Sequence, residues 1–333
     1  MRRLSVLSGL VILTLAWLSP GSDTSAWGQP RADFFRSQVG RAKVNASLTG
    51  AFFGKADLDQ EGTDLEQSHV SLKISAPLAQ TDRQEWLAYL GAKFDRYDTE
   101  AVLPDSGLAF PEDLWDLRLG SAYRRQLDNG WITGLDLSLG SASDRPFTSS
   151  DKIFFHGLGL LRVPRGERNA WLFMLQFSTN REFLNYVPLP GVGYYYEPSK
   201  AFRAVIGFPF AFFRWRPVER LSLQASYFPL TNIEALVSYK ITPTMVAFGG
   251  FSWDNRRFEL DGRADTDDLF FAFEKRIQAG IRFPLFKGPA LVLMGGYSFD
   301  RFFFQGQGRD DDDQDRVEAD PAWFVSLMVA IRF

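Results

Sequence analysis

No cysteine occurs anywhere in the 333 residues of this chain. Its absence removes disulfides, thiolate nucleophiles and cysteine metal sites. It also leaves no thiol near the N-terminus to carry a lipid anchor. Histidine is nearly as scarce, limited to His69 and His156. After the N-terminal region no apolar run reaches 18 residues, so helical membrane spans are excluded on length. There is no basic excess either. Lys and Arg total 37 against 40 Asp and Glu, a formal net charge of −3, where a nucleic-acid binder would show a basic patch or stripe.

Aromatic residues are abundant instead, with 32 Phe, 10 Tyr and 9 Trp. The N-terminus reads as an export signal. Arg2 and Arg3 precede an apolar run from Leu4 to Leu18, then Pro20, Gly21 and a small-residue stretch ending at Ala26. That run is shorter than the roughly 20 residues a helical span needs. The expected division is a signal peptide over 1–26, an N-terminal periplasmic segment over 27–42 and a barrel over 43–333.

The dominant pattern has period two. Val70, Leu72, Ile74, Ala76 and Leu78 alternate with His69, Ser71, Lys73 and Ser75, the mark of a strand with one apolar and one polar face. Similar faces recur at Trp86 to Phe94, Trp115 to Tyr123, Leu135 to Leu139, Trp171 to Phe177, Leu221 to Tyr227, Ile233 to Tyr239 and Phe271 to Phe283. A soluble β-sandwich also alternates. These strands, however, run to about 10–14 residues, where soluble strands average about 5–6 and a tilted membrane strand needs about 9–11. Short turns, such as Asp128-Asn129-Gly130, lie between some strands. Longer acidic or Pro-rich segments lie between others, which is the asymmetry of outer-membrane barrels.

The expectation is therefore an all-β fold: one antiparallel, up-and-down transmembrane β-barrel in the outer membrane of a Gram-negative-type bacterium. Fourteen strands are counted, at about 43–54, 65–78, 85–97, 113–126, 131–142, 152–163, 169–180, 202–216, 221–228, 232–240, 245–253, 268–283, 290–300 and 322–333. Pro209 inside the eighth makes twelve the alternative. Residues 186–201, rich in Pro, Gly and Tyr, read as an inward-folded loop. The last strand presents Trp323, Val325, Leu327, Val329, Ile331 and Phe333 on one face. It resembles the terminal signal, with Phe333 as its last residue, that outer-membrane proteins offer to the barrel-assembly machinery. Strand addition to an apolar edge would be its physical basis.

Pro190-Gly191-Val192-Gly193-Tyr194, Ile206-Gly207-Phe208-Pro209-Phe210 and Arg214-Trp215-Arg216-Pro217 together resemble a family of bacterial outer-membrane barrels that is a domain of unknown function. The resemblance covers about a tenth of the chain and implies fold and location, with no catalytic residues.

Candidate chemistry is sparse. Lys73, Lys93, Asp95, Asp116, Arg118, Arg124, Asp136, Glu234, Glu274, Arg276 and Arg282 lie on the polar faces and are expected to face the lumen. There they would line a pore or fill a closed barrel with ion pairs. His156 falls in parity with Phe154, Leu158 and Leu160, which places it towards lipid. A membrane lipid hydrolase would need a serine and an acid around it, and no nucleophile motif accompanies it. Asp310, Asp311, Asp312, Asp313 and Asp315 are candidate cation ligands. They lack a spaced calcium-loop pattern and read first as a solvated loop. Asp261, Asp265, Asp267 and Asp268 read the same way. No cofactor is expected and no enzymatic role. The partners implied are outer-membrane lipid, lipopolysaccharide and the barrel-assembly machinery. The leading function is passage or binding of small solutes, the alternative a plugged structural or surface-interaction barrel.

Overall fold

The alternating segments form one antiparallel sheet that closes on itself. The computed structural model describes residues 32–35, 38–181, 184–228, 232–263, 265, 267–285 and 288–332. The expected signal peptide and Phe333 lie outside the described residues. The strands are β1 (Asn45–Asp57), β2 (Asp64–Thr81), β3 (Gln84–Asp98), β4 (Asp113–Gln126), β5 (Ile132–Ser143), β6 (Phe154–Arg165), β7 (Asn169–Ser178), β8 (Leu189–Ser199), β9 (Phe202–Phe208), β10 (Ala211–Val218), β11 (Leu221–Phe228), β12 (Asn232–Lys240), β13 (Val246–Phe258), β14 (Leu269–Pro284), β15 (Ala290–Gly306), β16 (Val317–Ala319) and β17 (Ala322–Arg332). Neighbours in sequence are neighbours in the sheet, and β17 pairs with β1 to complete the ring.

Both β16 and β17 pair with β15, along successive stretches of it. They are two parts of one wall strand, interrupted at Asp320 and Pro321, where proline has no ladder donor. The wall thus has sixteen strands rather than fourteen or twelve. Two segments account for the difference. Residues 189–199 are a strand, not an inward-folded loop. The expected strand 202–216 is the hairpin of β9 and β10, broken at Pro209. Adding two strands preserves the alternation of connections. The end carrying the two-residue turn between β2 and β3 is called the turn end below, and the opposite end the loop end.

The exterior is apolar. Leu48, Leu119, Leu135, Leu175, Ile277 and Val325 are exposed on it. Trp86, Tyr123, Trp131, Trp171, Trp215 and Tyr239 are exposed at the turn end of their strands. Towards the loop end come the ring pairs Phe94–Trp115 (4.3 Å), Phe155–Phe177 (6.0 Å) and Phe52–Trp323 (6.3 Å). An apolar band between two aromatic girdles is the surface a bilayer requires. Every wall strand is paired on both sides, so no strand edge meets lipid.

The wall is uneven in height. β9, β10, β11 and β12 have 7, 8, 8 and 9 residues, whereas β2, β14 and β15 have 18, 16 and 17. Eight residues rise about 26 Å along the strand. At a tilt of about 40° that is roughly 20 Å of height, less than the ~25 Å apolar band of an outer-membrane barrel. Phe208 (72% exposed) and Ile206 (67%) face outward near the top of this low stretch.

Candidate functional site

The interior is filled, and it is layered. At the turn end a 3-10 turn at Ala32–Phe35 enters the lumen from before β1. Phe34 and Phe35 are buried there among Leu87, Leu158, Leu160, Leu172, Met174 and Phe210. Phe35 stacks on Phe210 with centroids 5.2 Å apart and planes 7° from parallel. Phe210 in turn stacks on Phe228 at 6.0 Å.

A buried ion pair clamps the backbone of this segment. Arg124 Nε donates to Glu85 Oε1 at 2.7 Å. The same guanidinium donates to the carbonyls of Phe34 (3.2 Å) and Gln38 (2.8 Å). The other oxygen of Glu85 accepts the N–H of Gly40 at 2.8 Å. Each is a charge-assisted bond, of order 1.5–3 kcal/mol.

Around this chamber the turn end of the lumen is basic. Arg162 and Arg203 lie over the Tyr195 ring, at 5.1 and 5.7 Å from its centre. Tyr195 donates to Glu197 Oε2 at 2.6 Å, and Arg203 donates to Glu197 Oε1 at 2.8 Å. Arg214 stands directly opposite Arg203 across the β9–β10 ladder, with Arg216 two residues along. Arg282 is further round the wall, within Coulombic range of Arg332.

Further along the lumen is a layer of buried charge. Asp95 (1% exposed) accepts from His69 Nδ1 at 3.0 Å and from Arg256. Arg256 also lies 3.8 Å from Asp254 and 3.9 Å from Glu274, and donates to the Tyr97 hydroxyl at 3.4 Å. Glu274 accepts from Arg276 and from Ser298 Oγ (3.0 Å). Lys93 (2% exposed) faces Asp116 in register across β3–β4. Tyr89 donates to Asp136 at 2.5 Å, and Arg301 donates to Gln67 at 2.9 Å. Arg276 and Arg301 lie over the Phe53 ring at 5.0 and 5.8 Å. Burial on this scale is tolerated only when charges are paired and hydrogen-bonded.

The structure places Lys73, Lys93, Asp95, Asp116, Arg118, Arg124, Asp136, Glu234, Glu274, Arg276 and Arg282 on the strand faces that alternate with the exposed apolar residues. His69, Asp95, Glu274 and Arg276 come together in the central layer, joined by Arg256. Arg118 lies over the Phe154 ring at 4.8 Å, within Coulombic range of Asp116 and Asp136. His156 does not face lipid. It is buried on the inner face with Phe154, Leu158 and Leu160, because that stretch of lumen is itself apolar. Ser138 and Ser178 are its cross-strand neighbours. Among the described residues no hydrogen bond joins His156 to either serine, so no nucleophile–base pair is assembled.

A roof covers the loop end. Residues 99–112 fold into a small hairpin closed by Leu103 N–H to Leu108 O at 2.8 Å. Its Phe110 lies edge-on to Tyr97, Phe270 and Phe303 at 5.7, 5.4 and 5.0 Å. Asp315 accepts the N–H groups of Asp105 and Ser106, both at 2.8 Å, and Asp105 accepts that of Asp315 at 2.6 Å. A strap then crosses from the β13–β14 connection to β5, where Glu259 N–H donates to Ala142 O at 2.9 Å. Asp261 holds the strap by accepting from Arg145 and Lys152, each at 2.9 Å, and these hydrogen bonds, Lys152 first, keep its carboxyl below the usual value. Burial, with Asp151 nearby, pushes Glu259 up to about 7.

The acidic loop serves this roof. Asp311 accepts the N–H groups of Gln307 and Gly308, at 2.9 and 3.1 Å, and Asp312 pairs with Arg316 at 3.5 Å. Asp310 and Asp313 are exposed. No three acidic or histidine side chains among the described residues converge as a metal site.

Arg256, Asp254 and Arg301 fall beyond the strand ends expected from sequence, yet they complete the central layer. The signal was faint but present: Ser252, Asp254, Arg256 and Phe258 continue the period of two. The residues between them, Asn255 and Arg257, are polar, which removes the apolar half of the pattern.

The sequence matches no family model, and no curated protein matches it significantly. The resemblance noted for the motifs between Pro190 and Pro217 therefore has no family assignment behind it. Among solved structures, the chain is similar to an outer membrane channel from Pseudomonas putida F1, at 12% identity and a TM-score of 0.39, over 92% of this chain and 100% of that one. It is similar to the Pseudomonas putida toluene transporter TodX at 10% identity and a TM-score of 0.43, over 87% and 89%. A third likeness is to the β-domain of the Bordetella autotransporter BrkA, at 10% identity and a TM-score of 0.31, over 86% and 98%.

Proposed function

We propose that this barrel binds small solutes with an apolar body in its turn-end chamber and passes them across the outer membrane. The turn end is periplasmic in this reading, and the roofed loop end is extracellular. One observation carries it. The lumen of a water-filled barrel is polar, yet this chamber is walled by Leu87, Leu158, Leu160, Leu172 and Met174, and its occupants are two phenyl rings from a segment that is not part of the wall. A cavity that accepts Phe34 and Phe35 accepts other apolar groups of that size once the segment leaves.

The low wall offers a route that avoids the central charged layer. Ile206 and Phe208 point outward near its top and Phe210 points inward beside the chamber. An apolar body crossing there meets apolar surface on both sides. A purely structural barrel would need neither a removable occupant nor a lowered rim.

Proteoliposome swelling tests the reading, with phenyl β-glucoside as a solute that crosses bilayers poorly by itself. The chain lacking residues 27–42 is expected to take it up faster than the chain starting at residue 27. Swelling no faster than in protein-free vesicles for both, with both proteins showing heat-modifiable gel mobility, would overturn the proposal.

A further inference from the structure

We infer that the basic rim of the turn-end chamber is a carboxylate-binding site, so that the solute is an anionic amphiphile: an apolar body of one or two rings bearing a carboxylate. The inference rests on the solute-binding reading above and specifies its substrate class.

The rim concentrates positive charge. Arg124, Arg162, Arg203, Arg214, Arg216, Arg282 and Arg332 lie on inner faces near the turn ends of their strands, against the carboxylates of Glu85 and Glu197. Glu85 is committed to Arg124 and to the backbone of the N-terminal segment. Glu197 is shared between the Tyr195 hydroxyl and Arg203. Arg216 lies within Coulombic range of Arg203 and of Glu197, and Arg162 within that of Glu197 and of Arg124, so one carboxylate serves three guanidinium groups. Arg203 and Arg214 face each other directly across one ladder. Like charges in directly opposed sheet positions are destabilising. An anion seated between them reverses that sign.

The chemistry of the rim is that of carboxylate recognition. Guanidinium is always charged and offers a planar fork of donors that matches a carboxylate in bidentate fashion. The position of the rim sets the rest of the ligand. Tyr195 belongs to the apolar wall of the chamber and also carries Arg162 and Arg203 over its ring. A carboxylate at those guanidinium groups therefore has its attached carbon skeleton at the edge of the chamber. The space available beyond is that filled by Phe34 and Phe35.

The test is calorimetric binding of benzoate and of benzamide, its neutral isostere, to the detergent-folded chain starting at residue 27. Benzoate is expected to bind about tenfold more tightly, one charge-assisted hydrogen bond's worth, and the ratio to shrink as salt is raised. In Arg203→Gln/Arg216→Gln the ratio falls to about one while benzamide affinity is unchanged. If that double variant loses heat-modifiable mobility, Arg162→Gln alone is expected to lower the ratio in the same direction. Equal binding of both ligands to the parent, or equal weakening of both in the variants, overturns the carboxylate site and leaves the apolar chamber standing. Binding of neither ligand overturns both.

Discussion

Replacing Phe35 with alanine should free the N-terminal segment from the lumen without unfolding the wall. Phe35 is 3% exposed and stacked on Phe210. Burial of a phenyl side chain contributes about 1.5–3 kcal/mol, and an aromatic pair adds about 0.5–1.5 kcal/mol. The docked state thus loses about 3 kcal/mol, and the undocked population rises about a hundredfold. The lack of cysteine supplies a clean reporter. Val39→Cys introduces a single thiol at a buried position of the same segment, and its maleimide labelling rate follows the undocked fraction when opening and closing are fast. In the Phe35→Ala background the rate should rise by about two orders of magnitude. Phe210→Ala, which removes the ring from the wall side, should act in the same direction. The double substitution should cost less than the sum of the two, because they share one contact. An unchanged labelling rate in Phe35→Ala, with heat-modifiable mobility intact, would show that these two rings do not hold the segment.

Three further outcomes follow from the interior and the roof. Asp315→Asn weakens the acceptor for Asp105 and Ser106, at about 1.5–3 kcal/mol per charge-assisted bond. Amide hydrogen exchange over residues 101–110 should accelerate while exchange in β2 and β3 stays slow. Asp95→Asn removes the carboxylate shared by His69 and Arg256 and leaves Arg256 only the more distant Asp254 and Glu274; the loss of about 1.5–3 kcal/mol for a charge-assisted bond should lower the temperature at which the folded gel band disappears. Glu259 is raised to about 7 by burial and by Asp151, against Arg263, Lys152 and Arg257, which favour its charge. Its folded value exceeds its unfolded one, so its contribution is fully present below pH ~4.5 and is lost as pH rises through ~7. Protection factors at residues 142–144, which divide out the base-catalysed intrinsic rate, should therefore fall between pH 5 and 8, and Glu259→Gln should flatten that dependence.

The wall was legible in the sequence wherever lipid imposed an apolar face and the lumen a polar one. β2 and β3 show this plainly: Val70, Ile74, Trp86 and Leu90 are exposed while Ser71, Lys93 and Asp95 are buried. The same rule failed where the lumen is apolar. In β6 the inner residues are Phe154, His156, Leu158 and Leu160, and the outer ones include Phe155, Leu161 and two glycines. Hydrophobicity then no longer distinguishes inside from outside, and His156 was placed on the wrong face. In β8 the tyrosines fall on both faces, with Tyr195 buried and Tyr196 exposed. Gly191, Gly193, Pro190 and Pro198 punctuate it like a loop. In β15 the register shift opposite Phe273 and Lys275 takes up an extra residue, so the inner face passes from Ser298 to Arg301 and the alternation is interrupted there. Phe271 and Phe273 pair in register with Phe304 and Phe302 and stack on them at 4.5 and 4.6 Å.

These failures share a physical origin that bears on function. A barrel that only had to span the membrane could keep its inner face polar throughout, and period-two reading would then succeed on every strand. The reading broke at β6, β8 and the β9–β10 hairpin, which supply Leu158, Leu160, Tyr195, Val205 and Phe210 to the chamber. It also fell short at β13 and β15, which run on past Trp253 and Asp300 into stretches expected as loops. Departures from local rules concentrate where a protein does something other than fold. The chamber residues are the sharper case. An apolar lumen wall must be covered or hydrated at a cost of about 25 cal/mol per Å², and here the chain covers it with its own Phe34 and Phe35. In the proposed function, this segment, held by one ion-pair clamp, two rings and the buried Val39, is the part that a ligand replaces.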